Sequence, residues 1–112
     1  MKIALSSSGR DINSNISEVF GRCPYFLIVE IEDNKIKELK AIKNTSANQA
    51  GGAGISVAQM VAEKKVSAVI AGAVGPKALE VLKQFDIRVY RSTGLVKEVI
   101  QKFIERKLEE TQ

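Results

Sequence analysis

From Ile55 to the end of the chain, segments of helical period alternate with short apolar runs, and this alternation constrains the fold more than any other feature. Val57, Met60, Val61 and Lys64 fall at i, i+3, i+4 and i+7, which predicts a helix ending near Lys64–Lys65. Ser67–Ala71 is a short apolar run that reads as a buried strand. Pro76 suits the first position of a second helix, with Ala78, Leu79, Val81, Leu82 and Phe85 as its apolar face. Ile87–Arg91 is the next strand, and Val96, Val99, Ile100, Phe103, Ile104 and Leu108 mark a last helix before a tail expected to fray from Glu109. Strands joined through helices pair in parallel by right-handed crossovers.

The first half of the chain has a different character. Lys2–Ser7 reads as a buried strand, broken by Ser8-Gly9-Arg10-Asp11. Glu18–Phe20 suggests one helical or irregular turn, and Pro24 stops any helix there. Tyr25–Ile31 is aromatic and β-branched, a strong strand signal. Asp33-Asn34 is a turn, and Lys35–Lys43, apolar at Ile36, Leu39 and Ile42, returns as a hairpin partner exposed on one face. The order β β β α β α β α predicts one α/β domain over residues 1–112. Its expected architecture is a three-layer α/β/α, ribonuclease H-like fold around a five-stranded mixed sheet in which only strand two is antiparallel.

Composition excludes several function classes. No histidine is present, so serine–histidine and cysteine–histidine nucleophile pairs cannot form within the chain. A single cysteine rules out an internal disulfide framework. The longest apolar run, Val66–Val74, is interrupted by Ser67 and Gly72 and is far short of the ~20 residues of a membrane span. The apolar stretch after Lys2 is too short for a signal peptide, so a cytoplasmic protein is expected. The net charge of +4 comes from interleaved lysines and glutamates, which read as solvated faces rather than a nucleic-acid stripe. The first strand carries no Asp or Glu, and Glu30 and Glu32 lie at the far end of strand two. The carboxylate cluster of a two-metal nuclease is therefore missing, and the chain is expected not to be an enzyme.

In a sheet of this kind ligands sit beyond the carboxyl ends of the parallel strands. On that rim fall Ser8 and Arg10 after strand one, Arg22 and Cys23 before strand two, Asn44–Ser46 after strand three, Gly72 and Gly75 after strand four, and Gly94 after strand five. Three helices start there, and their free N–H groups favour an anion. Gly52 and Gly54 permit close backbone approach to such a ligand, though the same glycines also suit a plain turn. Arg10, Arg22 and Arg91 bring positive charge to this edge. Cys23 reads either as a small buried hydrophobe or as a thiolate metal ligand whose ionisation Arg22 favours. A phosphate- or nucleotide-binding regulatory domain, or a dimerising module without ligand, is compatible with the same residues.

The chain resembles the dinitrogenase iron–molybdenum cofactor family, the NifX-like accessory proteins and the C-terminal portion of NifB. The resemblance rests on Ser17 with Phe20-Gly21-Arg22 and Phe26, on Gly52-Ala53-Gly54 opening a helix, on Val69-Ile70 with Gly72, Gly75-Pro76 and Ala78, and on Gly94. It implies a non-enzymatic carrier that transiently binds an iron–sulfur or iron–molybdenum-type cluster, or a precursor of one. The implied partners are that cluster or another anion and the proteins of cluster assembly. A homodimer is compatible with it, and neither a membrane nor nucleic acid is expected as a partner. Two departures stand out: the histidine ligand used by some relatives does not exist here, and Cys23 stands where many relatives have a small residue.

Overall fold

A computed structural model describes residues 1–111. The elements are β1 (Lys2–Ser7), β2 (Tyr25–Glu32), β3 (Lys35–Lys43), α1 (Ala53–Glu63), β4 (Ala68–Ala71), α2 (Pro76–Gln84), β5 (Arg88–Arg91), α3 (Val96–Ile104) and β6 (Glu109–Glu110), with a short 3-10 turn over Phe20–Arg22. They form one mixed sheet in the order β3-β2-β1-β4-β5-β6. β2 is antiparallel to both β1 and β3, while β1, β4 and β5 are mutually parallel. No helix among the described residues is long and apolar enough to cross a membrane.

The sheet has six strands, where five were expected. The tail forms a strand antiparallel to β5, with Tyr90 opposite Glu110 and Arg91 opposite Glu109. A second strand besides β2 thus runs against the parallel set. The cause is the free edge of β5, whose N–H and C=O groups need partners. Half-buried Leu108 packs against the apolar cluster under α3, which brings the tail to that edge. The tail expectation also covered Gln112, which lies outside the described residues.

Strand alternation divides the core between two faces. Ile3, Leu5, Leu27, Val29, Ile31 and Ile70 pack with Val96, Val99 and Ile100 of α3. Ala4, Phe26, Ile28, Val69 and Ala71 pack with Val57, Ala58 and Val61 of α1 and with Ala78 and Leu82 of α2. Phe20, from the 3-10 turn, joins this second cluster and meets Phe26 edge to face at 5.3 Å. Burying a side chain of that size stabilises the fold by roughly 1.5–3 kcal/mol. Phe85, expected on the buried face of α2, is 57% exposed, because the helix has ended and the chain reverses through Asp86.

The two edges of the sheet use different turn residues. At the edge away from the expected site, left-handed positions are filled by Asp33, Asn34, Lys65, Asp86 and Arg106. The last three close α1, α2 and α3. At the other edge the positive-φ residues are Gly52 and Gly94.

Candidate functional site

The long connection between β1 and β2 is not an open loop. Residues 8–19 lie across the carboxyl ends of β1 and β4. The N–H of Ser17 donates to Ser6 O at 3.0 Å, that of Gly72 to Ser17 O at 3.2 Å, and that of Phe20 to Ala73 O at 2.9 Å. The same segment caps α3: the N–H groups of Val96 and Lys97, in its first turn, donate to Ser14 O and Ile12 O, each at 2.9 Å. Of the three helix starts expected to face a ligand, this one is therefore occupied by the protein itself.

The starts of α1 and α2 differ from it. Neither has a side-chain cap or an acidic residue in its first turn, whereas α3 carries Glu98. In α1 the i→i−4 ladder begins with Ser56 N–H to Gly52 O, leaving the N–H groups of Ala53, Gly54 and Ile55 outside it. In α2 it begins with Leu79 N–H to Gly75 O, leaving those of Lys77 and Ala78. Both helix ends line a groove of about 460 Å³, walled on its third side by Val19 and the 3-10 turn. Val19, Ile55, Pro76 and Ala78 make its walls largely apolar. Arg22 and Lys77 supply its charged side chains, and neither is paired with a carboxylate among the described residues.

The third wall is held in place by Asn44, which is 5% exposed. Its Nδ2 donates to Gly21 O at 3.1 Å and to Cys23 O at 2.8 Å, while its Oδ1 accepts from Ser46 N–H at 2.9 Å. One side chain thus ties the 3-10 turn to the end of β3 and to the loop leading into α1. Arg22 completes the tie, its Nη1 donating to Ala47 O at 2.9 Å and also to Gln49 O. Gly21 sits directly against the start of α1, where a side chain would strike the backbone of Ala53 and Gly54.

Cys23 does not reach the groove surface. It is fully buried, and its Sγ donates to Phe20 O at 3.2 Å. Burial pushes its thiol pKa up to about 12, against the smaller opposing pull of its hydrogen bonds. The expectation that neighbouring Arg22 favours the thiolate is corrected: Arg22 points to the 44–52 loop, and desolvation holds Cys23 as a neutral thiol. Among the described residues no three of His, Cys, Asp or Glu are placed to hold a metal ion together.

The expected site residues therefore separate. Arg22, Gly52, Gly54 and Gly75 line the groove. Ser8 is used internally, its N–H bonded to Asn15 O and its Oγ accepting from Asn15 N–H. Arg10 stacks over the Tyr25 ring at 5.2 Å. Gly94 turns the chain into α3 at φ 102° and accepts from Ile16 N–H. Gly72 is a close-approach glycine, since a Cβ there would lie 2.6 Å from Glu18 O. Its carbonyl accepts from Arg91 Nε at 2.8 Å, so Arg91 too is spent on the fold. Of the three arginines expected to bring positive charge to this edge, Arg10 and Arg91 engage Tyr25 and Gly72 O, and Arg22 lines the groove. Lys77 went unnoticed in the sequence, and Asn44 was placed on the rim without a role of its own. Asn44 carried a signal, an Asx turn closing a strand ahead of a long polar loop, and Lys77 had one in its place just after the proline that opens α2.

The chain matches the family model described as dinitrogenase iron-molybdenum cofactor over residues 1–106. An uncharacterized protein of Methanocaldococcus jannaschii is 44% identical over 110 residues, covering 97% of this chain and 90% of that protein. The apo orange protein of Desulfovibrio gigas superposes with a TM-score of 0.91 at 27% identity, over 98% of this chain and 92% of that one. A Thermotoga protein provisionally described as NifB gives a TM-score of 0.82 at 37% identity, over 97% and 91%. With its family-model match spanning nearly all of the sequence, this chain belongs to the dinitrogenase iron-molybdenum cofactor family.

Proposed function

We propose that this chain is a small cytoplasmic carrier, not a catalyst, that takes an anionic iron–sulfur or iron–molybdenum-type cluster as cargo in the groove between the 3-10 turn, α1 and α2. Family membership supports the class of cargo. One observation carries the location: two helix starts without caps or acidic neighbours converge on an apolar groove that also holds Arg22 and Lys77. Backbone N–H groups and dipole ends favour negative charge. The apolar walls suit an anion whose outer atoms are weakly hydrated, as sulfides are, better than a heavily hydrated one. The cargo is held through those outer atoms, without Cys23 as ligand. The groove wall contains no carboxylate and no histidine among the described residues, and Lys77 is the one lining side chain of a type that can act as a base. The ribonuclease H-like reading of the fold is supported by the run β3-β2-β1-β4-β5 with β2 antiparallel.

Anaerobic incubation with ferrous iron, sulfide and molybdate, followed by gel filtration and an absorption spectrum, tests this. Visible absorption that co-elutes with the protein and weakens as salt is raised is the expected result. If no chromophore is retained while inorganic phosphate raises the melting temperature, the phosphate-binding reading replaces it.

A further inference from the structure

A second cavity, of about 560 Å³, lies at the opposite edge of the sheet, between the end of α3 and the strands β5 and β6. Its volume falls in the range of small-molecule sites. Ile31, Tyr90, Phe103, Ile104 and Leu108 form its apolar floor, and Tyr90 and Phe103 are stacked edge to face at 5.3 Å. Tyr90, Phe103, Ile104 and Leu108 are each only partly buried and pack against the core cluster under α3. Two arginines, Arg88 and Arg106, are among its lining residues. Arg106 makes no ion pair among the described residues, and Arg88 meets Glu110 only at 4.0 Å, with both side chains well exposed. Leu108 and Glu110, at and just before the sixth strand, complete the cavity, and both lie beyond residues 1–106 matched by the family model.

We propose that this cavity binds an amphipathic organic anion, an aromatic or branched aliphatic carboxylate, with its apolar body on Tyr90 and Phe103 and its carboxylate between Arg88 and Arg106. An apolar floor under two loosely engaged guanidinium groups matches that chemistry on both counts. Glu110 competes for Arg88, so the acid binds by displacing an internal carboxylate. The site is independent of the cargo groove and stands whether or not that groove takes a cluster.

The test is a titration of the full ¹⁵N-labelled chain with 4-phenylbutyrate, followed by amide shifts and calorimetry, with the neutral phenylbutyramide and inorganic phosphate as controls. Saturable shifts at Arg88, Tyr90 and residues 103–108 are expected, with much weaker effects from either control. Arg88→Gln and Arg106→Gln should each weaken binding about tenfold, the worth of one charge-assisted hydrogen bond. Glu110→Gln should tighten binding, a gain that loss of folding cannot mimic. The proposal is overturned if the amide binds as tightly as the acid, if Glu110→Gln fails to tighten binding, or if the shifts fall at Gly52–Gly54 and Lys77 instead.

Discussion

Gly21 and Gly54 meet backbone to backbone: a Cβ placed on Gly21 would lie 2.7 Å from the nitrogen of Gly54 and 2.9 Å from its Cα. This contact seats the 3-10 turn on the first turn of α1 and so shapes the groove. The obstructing atoms are main chain at a helix start and cannot swing aside. Gly21→Ala is expected to destabilise the protein by roughly 2 kcal/mol or more, read as a lower denaturation midpoint. Gly51→Ala, with nothing within 4 Å of the added methyl, should stay within about 0.5 kcal/mol of the parent.

Asn44 leaves two buried carbonyls without donors when it is truncated. Asn44→Ala should cost about 2–3 kcal/mol, since unsatisfied buried polar groups carry their full desolvation penalty. Hydrogen exchange should accelerate at Gly21–Cys23 and through residues 45–52 before it does in β1 or β4. Uniform acceleration across the sheet would mean that Asn44 supports the whole fold rather than this corner.

Cys23 gives a prediction with a definite sign. Its thiol ionises near 9.0 when unfolded and only at about 12 in the fold, so above pH 9 the unfolded chain has released a proton that the folded chain keeps. The stability this provides is complete below pH 9 and is lost as pH rises toward 12. The loss is about 1.4 kcal/mol per pH unit in that window. Cys23→Ala removes this slope, so the stability difference between parent and variant should shrink steadily from pH 8.5 to 10.5. A thiol reagent at pH 8 should label native protein at the rate of its opening, and immediate labelling would contradict the buried thiol.

Much of this fold is legible in the sequence, because period and turn chemistry agree element by element. Pro76 opens α2 where it was expected, and Asp33-Asn34 both adopt the left-handed conformation of a tight hairpin. β6 was not legible: Glu109-Glu110 has no strand character, and only the open edge of β5 makes it one. The site was legible as a rim but not as a groove. Gly72 and Gly94 lie on that rim, yet residues 8–19, Ser8 and Arg10 among them, cover it, and the covering runs through backbone hydrogen bonds that leave no trace in residue types. Cys23 shows the same limit. Adjacency to Arg22 suggested an ionised thiol, but Arg22, at the end of the 3-10 turn, reaches the 44–52 loop, and burial decided the outcome.

Arg22 has two engagements, with the 44–52 loop and with the groove, while Lys77 has no partner of this kind. Lys77→Gln should therefore leave the melting temperature within a degree or two, as is usual for an exposed charge, and still weaken anion uptake several-fold. Arg22→Gln should do both: lower stability by about 1 kcal/mol through the lost carbonyl contacts, and weaken uptake.

In the proposed carrier, charge and backbone at the starts of α1 and α2, and not the thiol of Cys23, hold the cargo. The most direct measurement is anaerobic uptake of iron, sulfide and molybdenum per chain, by metal analysis and visible absorption, in the parent, in Cys23→Ala and in the Arg22→Gln/Lys77→Gln double variant. Uptake by Cys23→Ala equal to the parent, with the double variant folded but reduced at least about tenfold, is the predicted result. Loss of uptake in Cys23→Ala with the double variant unaffected would contradict the account.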